Sequence, residues 1–233
     1  MPLVRIDENI SRNSNRYVPG PISCCVSTKA DMHLALPLVK QLSAKHNERI
    51  TLNALLIKAA AQVLRQYPVM LGIWEGPDLL RLPDGDAFDI SGPIALKDSF
   101  TVFKIDCPCQ KSVVEIARLL NTQVAQIRRQ QEGMGISQEV LESQITRSRP
   151  CFILSNIGTA GDVDFAHANV SQFLTSRLVI CSLRKEPVVL ADDHIEVRPM
   201  LPLVLDWDHR AMMGATAAAF LTNLKAFLEN PRL

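Results

Sequence analysis

A histidine flanked by two charged residues is the first feature of the sequence that could carry out chemistry. In the stretch "DWDHRAMMG", His209 stands between Asp208 and Arg210, with Met213 and Gly214 following. An imidazole has an unperturbed pKa of about 6.5, so a neutral histidine can accept a proton near neutral pH. The stretch therefore predicts a general base at His209. A histidine at the end of a strand can also be purely structural, and that alternative stays open at this point.

The six cysteines predict neither a disulfide framework nor a metal site. Two close pairs and two single cysteines are not spaced like a disulfide scaffold, and a chain of 233 residues is long enough to fold around its own core. Cys107 and Cys109 lack the second cysteine pair or the histidine pair that would complete a tetrahedral zinc site. We therefore expect no metal, and a cytoplasmic or other reducing compartment.

Charge and hydropathy exclude two classes of partner. The formal net charge is +1, so no overall field attracts nucleic acid or an anionic membrane. No apolar run approaches the roughly 20 residues that span a bilayer, and the polar N-terminus lacks the apolar centre of a signal peptide. The sequence predicts no nucleic-acid partner and no membrane.

The elements that must position His209 follow from apolar periodicity and turn residues. Thr51 or Asn53 is expected to cap the clearest helix, and Pro68 to end it. The order is mixed α/β without regular βαβ alternation. We predict an extended arm over residues 1–21 and one domain over 22–233. Strands are predicted over 22–32, 151–158, 176–190, 199–207 and, as several short ones, 69–111; helices are predicted over 33–46, 50–68, 112–133, 137–145 and 214–231.

Four of these segments together resemble a known family. They are "TLNALLIKAAAQVLRQYP", "SVVEIARLLNTQV", "FILSNIG" and the terminal block "EVRPMLPLVLDWDHRAMMGATAAAFLTNLKAFLENP". They are similar to the catalytic domain of the dihydrolipoamide acyltransferases, the E2 components of 2-oxoacid dehydrogenase complexes, over residues 22–231. The resemblance implies the coenzyme A-dependent acyltransferase fold of chloramphenicol acetyltransferase, an α/β fold with a mixed sheet and flanking helices.

The resemblance also assigns roles to residues. The family's histidine base matches His209, and the serine that stabilises the oxyanion matches Ser155, which lies 54 residues earlier. A serine before Asn156 could instead satisfy the backbone of a turn. Coenzyme A is the implied cofactor, with a lipoyl group supplied in trans by a lipoyl domain or another subunit of a dehydrogenase complex. A homotrimer, or a multiple of it, is implied, with the active site between subunits, so that Ser155 and His209 would come from neighbouring chains.

One departure from the family pattern falls close to the base. Met213 stands four residues after His209, where the family carries an aspartate with an orienting role and, in some members, an asparagine. We expect Asp208 and Arg210 to hold the loop by hydrogen bonds, before Gly214 and the small residues that follow it. We expect the site to be repacked around the Met213 thioether, which would make Met213→Asp neutral or harmful. The alternative is that Arg12 or Arg16 of the arm lies within reach, in which case Met213→Asp would form an ion pair and raise activity.

Two other functions remain open at this stage. The chain could be a stand-alone acyltransferase of the chloramphenicol acetyltransferase type, which passes an acyl group from coenzyme A to a small hydroxyl or amine. It could also be a non-catalytic structural subunit of a multienzyme complex. The retained pair of Ser155 and His209 argues against the structural subunit, because a scaffold needs neither residue. Of the three functions, the E2-type acyltransferase is the one we predict.

Overall fold

The computed structural model describes residues 3–5, 20–95, 100–131 and 151–232. Within them the strands are β1 (Leu3–Arg5), β2 (Ser23–Asp31), β3 (Ile73–Trp74), β4 (Leu79–Arg81), β5 (Asp89–Ala95), β6 (Phe100–Asp106), β7 (Phe152–Asn156), β8 (Ser176–Ile180), β9 (Arg184–Val189) and β10 (Ile195–Asp208). The α-helices are α1 (Ala35–His46), α2 (Leu52–Leu64), α3 (Val113–Gln131) and α4 (Gly214–Glu229), and short 3-10 helices cover Pro68–Leu71 and Pro108–Gln110.

A seven-stranded mixed sheet carries the fold. Its strand order is β2-β10-β8-β7-β5-β6, and β9 pairs with the first part of β10. Strand β7 runs parallel to both β5 and β8, whereas the other pairs in this sheet are antiparallel. Strands β1, β4 and β3 form a second, three-stranded sheet. The predicted mixed α/β class is therefore confirmed.

Helix α2 is central because it is apolar around most of its circumference. The side chain of Thr51 accepts a hydrogen bond from the Ala54 backbone N–H at 3.4 Å, which confirms one of the two predicted caps. The helix ends at Leu64, four residues before Pro68. It packs in one apolar core with α4 and with the residues of β10 that face the helices, so the end of β10 is held firmly where His209 follows.

The predicted single strand over 176–190 is wrong, because a bulge divides it into β8 and β9. Leu203 pairs with Ile180, and Met200 pairs with Arg184. Three residues, 181–183, therefore stand opposite only two on β10, 201 and 202. Pro202 has no N–H to donate to a ladder at this point, although its carbonyl accepts from the Cys181 N–H at 3.0 Å.

The other predicted elements are found where the structure describes them. The strands over 22–32, 151–158 and 199–207 and the helices over 33–46 and 214–231 are confirmed within a few residues. The helix predicted over 112–133 is confirmed up to residue 131, where the described range ends, and β10 begins earlier than predicted, at Ile195. The predicted helix over 137–145 and most of the arm lie outside the described residues, and the boundary at residue 22 stays a prediction. No helix in the described ranges is both long and apolar enough to cross a membrane.

Candidate active site

His209 occupies the turn that follows β10. Its backbone N–H donates to the Ile22 carbonyl at 2.9 Å, which ties the turn to the residue preceding β2. The side chain is half-buried, and its ring lies 6.2 Å from the Trp207 ring, centroid to centroid, at an interplanar angle of 34°. No hydrogen bond joins the imidazole to another part of the chain that the structure describes. The ring is thus placed by its backbone and by packing, and its nitrogens have no hydrogen-bond partner among the residues that the structure describes.

A buried ion pair between Asp208 and Arg210 fixes this turn. Asp208 accepts two hydrogen bonds from Arg210 Nε, at 3.0 Å to each oxygen, and one from Nη2 at 2.6 Å. The Arg210 backbone N–H also donates to Asp208 Oδ1 at 3.0 Å. Trp74 Nε1 donates to Asp208 Oδ2 at 3.1 Å, and the Arg210 guanidinium carbon lies 4.7 Å from the Trp74 ring centroid. Asp208 and Arg210 thus satisfy each other's charge, and together with Trp74 they fix the backbone on either side of His209.

Ser155 is the penultimate residue of β7 and is half-buried. The following Asn156 donates from its side-chain amide to Asn53 Oδ1 at 2.6 Å, which anchors the end of β7 to α2. Asn53 was the alternative cap predicted for α2, and its side chain instead makes this contact. A Cβ on Gly158 would lie 2.1 Å from the Cys181 carbonyl oxygen, so only glycine fits where the chain leaves β7.

Ser155 and His209 do not meet within one chain. Ser155 pairs with Val179, and Val179 pairs with Val204, which precedes His209 by five residues. Two strand spacings across the sheet and five residues along β10 separate the two Cα positions by roughly 19 Å. Their side chains cannot bridge that distance, so one carbonyl group cannot touch both residues of the same chain.

Cys24 lies on β2, paired with Trp207 on β10, two residues before His209. Burial, followed by the neighbouring Cys25 and Asp208, raises the pKa of the Cys24 thiol above its ordinary value. The thiol therefore remains protonated at neutral pH. It is a poor nucleophile there.

A family model, the catalytic domain of the 2-oxoacid dehydrogenase acyltransferases, matches residues 12–233. The chain belongs to this family. The lipoamide acyltransferase component of the branched-chain alpha-keto acid dehydrogenase complex of Bacillus subtilis is 28% identical over 184 residues, which are 78% of this chain and 39% of that relative. The chain spans about half the length, or less, of the curated relatives it matches.

Solved structures confirm the predicted fold. A probable dihydrolipoamide acetyltransferase from Listeria monocytogenes superposes with a TM-score of 0.74 at 25% identity, covering 95% of this chain and 88% of that one. Chloramphenicol acetyltransferase superposes with a TM-score of 0.64 at 12% identity, covering 97% and 100%. The mixed sheet with flanking helices is therefore the acyltransferase fold that the sequence resemblance implies.

Met213 does not fill an apolar gap, so the predicted repacking around its thioether is wrong for the chain as described. The side chain is 51% exposed. Met213 is the N-cap residue of α4, with φ −83° and ψ 156°, and makes no side-chain capping hydrogen bond. The position that carries aspartate or asparagine in the family pattern is thus a helix cap, and methionine cannot accept the hydrogen bond that a cap requires.

Met213→Asp is therefore expected to stabilise the protein, in contrast to the effect that the sequence predicts. A carboxylate at the N-cap accepts from the first-turn N–H groups and is favoured by the helix dipole, and the first turn of α4 contains no acidic residue. We expect a gain of about 1 kcal/mol in the free energy of unfolding, which raises the melting temperature by about 2–4 °C. Differential scanning calorimetry measures it.

Two further variants separate the causes of that gain. Met213→Asn keeps a capping acceptor without a charge, and should retain most of the gain at any pH. Met213→Ala removes the methionine without adding a cap, and should give no gain. A Met213→Asp protein that melts no higher than Met213→Ala would show that the missing cap does not limit the stability of α4.

Proposed function

We propose that this chain is an E2-type acyltransferase core that moves an acyl group between a lipoyl or similar carrier thiol and coenzyme A. The observation that carries the proposal is the position of His209. Its imidazole makes no hydrogen bond to the described residues, and the buried Asp208–Arg210 pair fixes the turn on either side of it. A thiol that attacks a thioester needs such a base, because the thiolate is the nucleophile.

In this proposal an imidazole nitrogen of His209 takes the proton of the attacking thiol as its sulfur bonds to the acyl carbon. The carbonyl oxygen becomes negative, and the Ser155 hydroxyl donates a hydrogen bond to it. The described residues fit this role, since the Ser155 hydroxyl makes no hydrogen bond among them. The original carbon–sulfur bond then breaks, and His209 returns its proton to the departing sulfur. The proton taken from the attacking thiol thus ends on the departing thiol, and the His209 base is regenerated.

A second copy of the chain completes the site in this proposal, because Ser155 and His209 lie too far apart within one copy. The hairpin of β9 and β10 offers a surface for that copy. Val189 pairs with Ile195, and Pro187 pairs with Val197, so all four side chains lie on one face. Val189, Ile195 and Val197 are 64–68% exposed. An apolar face this open on a projecting hairpin is typical of a surface buried by association, and we propose a trimer.

Val197→Glu is expected to dissociate the trimer. A carboxylate on the apolar face loses its hydration when that face is covered, whereas the single chain tolerates the change because the side chain is already exposed. Sedimentation velocity at micromolar concentration should show a trimer, or a multiple of it, for the unaltered chain and a smaller species for Val197→Glu. Acyl transfer should fall with the trimer.

The control for this variant changes a charge on the opposite face of the same hairpin. Glu196 points away from the apolar stripe and pairs with Arg198 at 2.7 Å. Glu196→Gln should leave the sedimentation coefficient and the acyl transfer rate nearly unchanged. A fully active monomer of the unaltered chain would contradict the shared site.

The choice of acceptor tests the proposed reaction itself. Acyl-coenzyme A should be turned over with free dihydrolipoamide and much more slowly with small hydroxyl and amine acceptors. A preference for the small acceptors would make the chain a stand-alone acyltransferase. Absence of turnover with every acceptor, in a correctly assembled protein, would make it a structural subunit.

A further inference from the structure

A second group of reactive side chains, which includes neither Ser155 nor His209, lies on the sheet face opposite the helices. Cys25 lies on β2, His167 on the segment between β7 and β8, and Asp206 on β10. One ligand atom from each residue lies within 4.8 Å of the others. Cys25 is paired directly opposite Asp206 in the sheet, which places both side chains on the same face. Three separate elements thus bring together a thiol, an imidazole and a carboxylate.

Asp206 is the buried member of this group. Its side chain has no exposed surface, and Arg177 donates to its Oδ2 from Nε at 2.9 Å and from Nη2 at 2.8 Å. The other oxygen, Oδ1, lies 2.6 Å from His167 Nδ1. Cys25 and His167 are exposed, and Oδ1 is the carboxylate oxygen that contacts His167. Arg177 therefore holds one carboxylate oxygen in place, while the other oxygen contacts the exposed His167.

The segment that carries His167 is attached to the sheet close to the histidine. The Val170 backbone N–H donates to Ser23 Oγ at 2.8 Å. Ser23 begins β2, two residues before Cys25. This bond holds the segment against the strand that carries the thiol, so the imidazole and the thiol are positioned together before any ligand arrives.

We propose that Cys25 Sγ, a nitrogen of His167 and the Asp206 carboxylate bind one Zn²⁺ ion, with water as the fourth ligand. Zinc prefers sulfur, nitrogen and carboxylate ligands in a tetrahedral arrangement, whereas Mg²⁺ and Ca²⁺ require oxygen. The thiolate and the carboxylate neutralise the ion. Arg177 remains the outer partner of the carboxylate, as ligating carboxylates commonly require. The site departs from the expectation of no metal, which considered the spacing of Cys107 and Cys109.

The geometry needs only a small adjustment to accept the ion. Zinc bond lengths of 2.0–2.2 Å place two tetrahedral ligand atoms about 3.4 Å apart. The ion replaces the proton between His167 and Asp206, which lie 2.6 Å apart, and His167 moves outward by about 0.8 Å. The exposed position of His167 permits this movement, while Asp206 stays fixed by Arg177.

Metal titration of the chelator-treated protein in its native oligomeric state tests the site. Co²⁺ reports on its own ligands, and one ion per chain should produce a thiolate-to-cobalt absorption band that Zn²⁺ abolishes by displacement. Because an ion bound only by the folded state stabilises it, saturating Zn²⁺ should raise the melting temperature by about 5–10 °C. Mg²⁺ at the same concentration should produce neither change.

Cys24 provides a matched control. It is adjacent to Cys25 but points to the opposite face of β2, where it packs against the apolar core. Cys25→Ser should lose the absorption band and weaken Zn²⁺ binding at least about 100-fold, whereas Cys24→Ser should keep both. Both variants are preferred to Asp206→Asn, which would leave Arg177 without its buried partner. The proposal is overturned if no saturable binding occurs at micromolar Zn²⁺, if the band survives in Cys25→Ser, or if Cys24→Ser loses it equally.

Discussion

His209→Ala is expected to lower kcat for acyl transfer by about 10²–10⁴-fold, the usual contribution of a general base. The variant cannot take the proton of the attacking thiol, which then reacts only through the small fraction already ionised. The fold should survive, because the backbone N–H that bonds the Ile22 carbonyl is retained in alanine. The buried Asp208–Arg210 pair makes no hydrogen bond to the His209 imidazole, so losing that side chain leaves the pair intact.

Three measurements make this result specific to proton transfer. Sedimentation and calorimetry should give the same assembly and melting temperature as for the unaltered chain. His46→Ala, at the exposed end of α1, should retain full activity. Added imidazole should restore part of the lost rate in His209→Ala, since it can enter the vacated space as an external base. An unchanged kcat in His209→Ala, or an equal loss in His46→Ala, would remove His209 from the mechanism.

The sequence predicted the local parts of this site because they are encoded by adjacent residues. The strand that leads to His209, the flanking charges and the helix after Gly214 all lie in one block, and their order survives in the structure. Thr51 was likewise identified as a cap from its position before an apolar helix. The helix and its cap depend on backbone hydrogen bonds that span only a few residues, and the strand is recognised from the apolar character of its own residues.

The remainder depends on contacts between distant residues. Trp74 bonds Asp208 across 134 positions, and a tryptophan in a short apolar run carries no sign of that partner. The zinc ligands proposed here come from three elements, and no spacing rule joins Cys25, His167 and Asp206. Met213 was misjudged for a different reason. Its apolar character predicts burial, whereas the turn places it at an exposed helix cap.

Ser155→Ala is expected to lower kcat by about 10²-fold with little change in KM, because the hydroxyl bonds an oxygen whose charge develops in the transition state. A raised KM at normal kcat would assign Ser155 to substrate binding instead.

Mixtures of two inactive variants test directly whether the site is shared between chains. If each site takes His209 from one copy and Ser155 from its neighbour, a chain with His209→Ala and a chain with Ser155→Ala can together build an intact site.

The yield of intact sites follows from the symmetry of a closed ring. In trimers assembled at random from equal amounts of the two variants, about one quarter of the sites pair an intact histidine with an intact serine. Sites confined to single chains would give none. A second mixture, of unaltered chains and chains that carry both substitutions, serves as the reference for subunit exchange. In this mixture about one quarter of the sites are intact if sites are shared between chains, and about one half if each site lies within one chain. Equal activity in the two mixtures is therefore the expected result. An inactive mixture of the two single variants, beside a half-active reference mixture, would place the whole reaction within one chain and contradict the roughly 19 Å separation inferred from the strand register.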